Sequence, residues 1–140
     1  MAALAANRAT ASRNTGAIRS YPVVASDIIY AGSMVHVNSD GYAAPAAASA
    51  SSTGVVGVAI EKVDNSSGSA GDLDVMVQEG EFLVAATSIA QTSVNLLVYA
   101  SDDQTVDETQ GTNEPIAGIL TEVVSATSGW VLMGPGVRQA

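Results

Sequence analysis

The residues able to do chemistry in this chain are few and poorly grouped. His36 is the sole histidine, and there is no cysteine. A lone histidine lacks the partners that would complete a metal site or a nucleophile–base pair. It alternates with Val35 and Val37, so it is expected on the opposite face of one strand, as a surface or interface side chain. Serine and threonine are plentiful, yet no Gly-x-Ser-x-Gly elbow occurs, and no glycine-rich phosphate loop leads into a lysine. Carboxylates do recur in pairs. Asp72 and Asp74 share a strand face by period two, as do Glu79 and Glu81, and exposed strand is the better reading than a glycosidase cleft. Asp102, Asp103, Asp107, Glu108 and Glu114 offer oxygen ligands suited to Ca²⁺, but their spacing departs from the EF-hand loop and acidic runs are normally solvated. Asn65-Ser66-Ser67 fits the glycosylation triplet, which without secretion is a coincidence. These residues predict a protein that is not an enzyme and holds neither cofactor nor metal.

Charge is more informative than any of these motifs. The first 26 residues carry Arg8, Arg13 and Arg19 and no acid, while the remainder holds all 14 Asp and Glu against Lys62 and Arg138. That is +3 on the leader and −12 on the body, within a net charge of −9. The leader is drawn to acidic surfaces, and the body repels both its own copies and nucleic-acid phosphate. In an extended segment Arg8 to Arg19 would span about 36 Å. Each exposed ion pair contributes only about 0.2–1 kcal/mol, so docking by such an arm also needs backbone and apolar contacts.

The 140 residues suit one domain, and 47% hydrophobic content lies well outside the disordered class. Only six residues are aromatic: Tyr21, Tyr30, Tyr42, Phe82, Tyr99 and Trp130. Small aliphatic side chains bury little area each, at roughly 25 cal/mol per Å². The body alone therefore has a thin core, and burial between subunits is expected. No apolar run approaches the roughly 20 residues that span a bilayer, and residues 1–20 lack the compact apolar stretch of a signal peptide. The leader is rich in Ala, Arg, Ser and Thr like a transit peptide, but Asn7, Asn14, Gly16 and Pro22 interrupt the helix one would form.

Residues 1–22 read as a flexible basic arm and residues 23–140 as the folded domain. From Val23 the pattern is all-β. Apolar, β-branched runs recur at Ile28–Tyr30, Met34–Val37, Val55–Ile60, Leu73–Val77, Phe82–Ala85, Leu96–Tyr99, Ile116–Leu120 and Trp130–Met133. Gly80, inside one such pattern, marks a bulge or sharp bend. Ala46 to Thr53 reads as a loop and Ser101 to Glu114 as a solvated loop or hairpin, and Thr87 to Asn95 has room for one helical turn at most. Seven to eight short strands without a long helix predict a small β-sandwich or open β-barrel with edges to be covered.

The order of strands and glycines from about Ala25 to Met133 resembles the small decoration, or structural cement, proteins of tailed-bacteriophage heads. The run starts at Ala31-Gly32-Ser33-Met34-Val35 and Gly41-Tyr42, and continues through Gly54-Val55-Val56-Gly57-Val58-Ala59 and Gly71 to Val77 with Gly80-Glu81-Phe82. Leu97-Val98-Tyr99-Ala100, Ile116-Ala117-Gly118-Ile119 and Trp130-Val131-Leu132 complete it. One departure is Val94-Asn95, where the family pattern leads to a Gly-Asp pair. The resemblance implies a β domain, usually a homotrimer, that sits on the outer surface of an assembled virion capsid and reinforces it. Its partners would be the major capsid protein and its own copies, without nucleic acid or membrane. The leader maps onto no motif, and its charge alone makes Arg8, Arg13 and Arg19, with Tyr21, the expected capsid-binding residues. A different reading of the same composition is an acidic β-module of a viral fibre or cell-surface appendage, binding carbohydrate.

Overall fold

The computed structural model describes residues 17–135. Its strands are, in chain order, β1 (Ile18–Pro22), β2 (Asp27–Ile29), β3 (Met34–Asn38), β4 (Ala43–Pro45), β5 (Ser52–Ala59), β6 (Val63–Asn65), β7 (Asp74–Gln78), β8 (Gly80–Ala86), β9 (Leu97–Ala100), β10 (Thr105–Asp107), β11 (Ile116–Ser125) and β12 (Ser128–Met133). One 3-10 turn, Gln91–Ser93, interrupts them. The all-β class holds, with twelve strands among the described residues in place of seven or eight. The strands beyond the eight apolar runs are β1, β4, β6 and β10, the last three only three residues each and too short to show alternation. β1 and β6 are set by partners distant in sequence, β7 and β2, whereas β4 returns on β3 and β10 on β9.

Five strands form an antiparallel sheet in the order β1-β7-β5-β3-β4. Val23, just past β1, makes a parallel bridge to Ala43 of β4, and the Val24 N–H donates to the Ala43 carbonyl at 2.9 Å. The two ends of the sheet are thereby drawn together. A second unit, β10-β8-β12-β11-β9, is a closed barrel. Closure depends on β10, which pairs parallel with β8 and antiparallel with β9. The acidic segment expected as a solvated loop or hairpin thus returns on β9 as a hairpin and supplies a barrel strand, with Val106 at its centre fully buried. A two-stranded ribbon, β2–β6, lies beside the sheet. It is pinned by the buried Asn65 side chain, whose amide donates to the carbonyls of Val24 at 2.9 Å and Ser69 at 3.1 Å.

There are two apolar clusters, and β3 and β5 contribute to both. Met34 and Val55 join barrel residues such as Val98, Leu120, Val131 and Met133. Val35, Val56 and Ala59 join Val23, Ile29, Val63, Val75 and Val77. Along β5 the alternation slips by one residue. Val55 and Val58 both face the barrel cluster although they are three apart, and Val56 and Ala59 both face the other. The slip is a bulge at Gly57 (φ 147°), opposite the register shift between Val35 and His36. Beyond it β5 pairs with β7 through Val58↔Gln78 and Ala59↔Val77. Gly80 (φ 147°) makes the bend expected of it, turning the chain from β7 in the sheet to β8 in the barrel. At the departure from the family pattern, Asn95 takes a left-handed φ of 70°, and its N–H donates to the Leu120 carbonyl at 2.7 Å.

A Cβ at Gly57 would lie 2.4 Å from the Gln78 carbonyl oxygen. Gly57→Ala is expected to cost about 3 kcal/mol, through strain and the loss of the β5–β7 ladder. Differential scanning calorimetry should show the melting temperature falling by roughly 10 °C. A fall under about 2 °C would mean the bulge does not carry the junction between the two units.

Candidate docking surface

Of the four residues expected to bind a capsid, Arg8 and Arg13 lie outside the described residues. Arg19 and Tyr21 do not belong to an arm, because β1 takes up Ile18–Pro22. Period two puts both on the same face. The Arg19 guanidinium donates to the Glu79 carboxylate at 2.7 Å, and this hydrogen bond raises its pKa further. Tyr21 packs against the cluster that contains Val75 and Val77. The structure brings Arg19 and Tyr21 together but spends them on the chain's own sheet. Nothing local in sequence announces this, since Glu79 is the partner of Arg19 only through the β1–β7 register.

Glu79 and Glu81 were expected on one face, but the bend at Gly80 parts them. Glu79 holds Arg19 in the sheet, whereas Glu81 accepts a hydrogen bond from the Thr121 hydroxyl on the barrel. The other acids are similarly dispersed. Asp72 accepts the Ser69 N–H at 2.8 Å, Asp102 the Gln104 N–H at 2.8 Å and Glu114 the Gly111 N–H at 2.7 Å, while Glu108 accepts the Ser93 hydroxyl. Among the described residues no three His, Asp or Glu side chains gather as a metal site.

What the surface does present is apolar. Met76 on β7 lies opposite Ser20 on β1, and the Ile60 N–H donates to the Met76 carbonyl at 3.1 Å. Ile18, Met76 and Ile60 therefore line one outward face of the sheet, each more than two-fifths exposed. This face adjoins β1, whose second edge pairs with no strand among the described residues. On the barrel, exposed Leu83 sits directly opposite Trp130. No helix of the described residues is long and apolar enough to cross a membrane.

Electrostatically this body is one-sided. All 14 acids fall within residues 17–135, against two cations, Arg19 and Lys62. Lys62 is engaged as well, its Nζ 5.3 Å from the centre of the Tyr30 ring. Tyr30 borders a cleft of about 300 Å³ between the β2–β3 turn and the β9–β10 turn, lined also by Ala31, Gly32, Ser33, Asp103 and Gln104.

His36, expected at the surface or in an interface, is buried within the protomer at 5% exposure. Its Nδ1 lies 2.8 Å from the Ser52 Oγ, which also accepts the Gly54 N–H at 3.2 Å. The pair is a hydroxyl–imidazole contact between β3 and β5, and neither residue lines the cleft. Its evident role is to tie the start of β5 to β3. Comparison with protein-family models, curated proteins and solved structures finds no match for this chain.

Burial pushes the His36 pKa down from 6.5, against a smaller upward pull from Asp27. The unfolded chain therefore takes up this proton at a higher pH than the folded one. Its contribution is complete above about pH 6.5 and is lost as pH falls toward the lowered folded value, at no more than about 1.4 kcal/mol per pH unit. Urea denaturation at intervals from pH 8 to pH 5 should show a shallower loss of stability for His36→Gln than for the parent chain. Equal slopes would show that His36 titrates alike in both states.

Proposed function

We propose that this chain is a virion structural protein, a capsid decoration or cement protein whose acidic β body sits on the outside of an assembled bacteriophage head. The observation that carries the reading is the placement of cations. The two in the folded body are engaged by Glu79 and Tyr30, and the remaining three, Arg8, Arg13 and Arg138, all lie in the terminal segments. A body of −12 offers no cation-led docking of its own, so attachment to an acidic shell falls to the N-terminal arm. The half-exposed face of Ile18, Ile60 and Met76 and the Leu83–Trp130 pair suit burial against sister copies in a homotrimer.

The action is mechanical. Arms and body bridge neighbouring major capsid subunits, and binding only the assembled shell stabilises that state by mass action. One arm is weak, because exposed ion pairs contribute about 0.2–1 kcal/mol each. Three arms on one trimer multiply that affinity through their high effective concentration.

Co-sedimentation with purified heads tests the reading. Parent protein should pellet with heads, and Arg8→Ala/Arg13→Ala should weaken binding on the order of tenfold, more steeply at low salt. Arg19→Ala should bind within about twofold of the parent, since its charge is already paired. Failure of the parent protein to pellet, or equal losses in both variants, contradicts the assignment.

A further inference from the structure

The barrel does not spread its charge evenly. In the closed order β10-β8-β12-β11-β9, strand β10 holds Asp107 and is flanked by Asp102, Asp103 and Glu108. Strands β11 and β12 stand across the barrel from it. No Asp, Glu, Lys or Arg occurs in β9, in β12 or in β11 before Glu122. In a body that carries 14 acids over residues 17–135, such a gap needs a reason.

Large apolar side chains fill the gap. Val98, Leu120 and Val131 belong to the barrel core, so their chain neighbours Leu97, Ile119 and Leu132 point outward by alternation. The register sets these three side by side, Leu97 opposite Ile119 and Ile119 opposite Leu132. Trp130 and Leu83 form the next outward pair. None of the five belongs to either apolar cluster of the described residues. Leu83 is 54% exposed and the other four are partly exposed. The sole tryptophan of the chain thus lies outside both cores, although those cores are short of large residues. Acids appear only at the rim: Glu81 ends the row on β8, held by the Thr121 hydroxyl, and exposed Glu122 lies opposite Trp130.

The missing charge decides which partner this wall suits. A cationic partner gains more beside β10, whereas a second copy of the chain brings its own −12 and is repelled from every acidic face. An uncharged contact lets two such bodies meet with the β10 acids on the far side of each barrel. Curvature decides how many copies meet there. From β9 to β8 the wall crosses three of the barrel's five ladders, more than half of its circumference. One partner pressed against a convex barrel covers one side of it. Two are needed, and a chain that meets two copies of itself on different sides closes into a ring.

We propose that this wall, from β9 through β11 and β12 to β8, is where copies of the chain join, each barrel meeting a neighbour on two sides. The proposal rests on the homotrimer reading above and supplies the surface for it. Strand β10 and its acids then face away from the ring.

Sedimentation equilibrium of the full chain, without heads, is the test. The parent should reach the mass of a trimer, and Trp130 emission should move to shorter wavelength as concentration rises. Leu83→Asp should raise the concentration for half-association roughly thirtyfold, and Ile119→Asp likewise. Leu83 is the more exposed of the two, so its variant keeps the test intact should Ile119→Asp not fold. Leu73→Asp adds the same charge at an exposed site beside β7 and should stay within about twofold of the parent. Raising salt to 0.5 M should tighten association, the reverse of charge-led docking. A trimer indifferent to Leu83→Asp and Ile119→Asp overturns the wall and leaves the homotrimer standing. A parent chain that stays monomeric at every concentration overturns both.

Discussion

The whole arrangement turns on one extra residue in one strand. β5 must pair with β3 along its first half and with β7 along its second, while feeding side chains to cores on both of its faces. A regular strand with strict alternation would send Val55 and Val58 to opposite sides. The bulge at Gly57 restores both to the barrel side, and it needs a φ of 147° together with a backbone approach that leaves no room for a Cβ. Gly80 makes the matching change of direction where the chain leaves the sheet for the barrel. The two units are joined through these strands, and the cleft lies where their turns meet.

Sharing strands has an energetic consequence. The buried apolar side chains are mainly Val, Ala, Ile, Leu and Met, and they are divided between two clusters. Each cluster is small, and at roughly 25 cal/mol per Å² neither gains much from large residues. Trp130 stays partly exposed on the barrel wall, opposite Leu83. Polar groups inside are answered locally: His36 by Ser52, Asn65 by two carbonyls, Ser93 by Glu108. No buried side-chain donor or acceptor among the described residues lacks a partner. The protomer is thus well satisfied in polar terms but leaves apolar faces open, which is the combination that association between copies would complete.

Much of this could be read from the residues, and the misses have physical causes. The runs at Val55–Ile60, Phe82–Ala85, Leu96–Tyr99, Ile116–Leu120 and Trp130–Met133 are strands because β-branched and apolar residues at period two declare themselves. The bend at Gly80 was legible because a glycine inside a strand pattern marks a bulge or sharp bend. β10 was legible only as the hairpin alternative to a loop: three residues in an acidic segment carry no period, and pairing with β8 and β9 makes them a strand. Assigning Arg19 and Tyr21 to an arm failed because the ladder that holds them joins residues more than fifty positions apart. His36 misled through its neighbours, since β3 is buried on both faces and alternation there does not separate inside from outside.

The proposed role comes down to where the positive charge of the chain goes when the protein meets a shell. Electron cryo-microscopy of purified heads incubated with the protein is the most direct measurement. The account predicts ordered density for the β body on the outer surface, with residues 1–16 traced along the capsid and Arg8 within hydrogen-bonding distance of shell carboxylates. Heads bare of the protein at saturating concentration, or decorated through the barrel wall with the N-terminal segment absent from the contact, would contradict it.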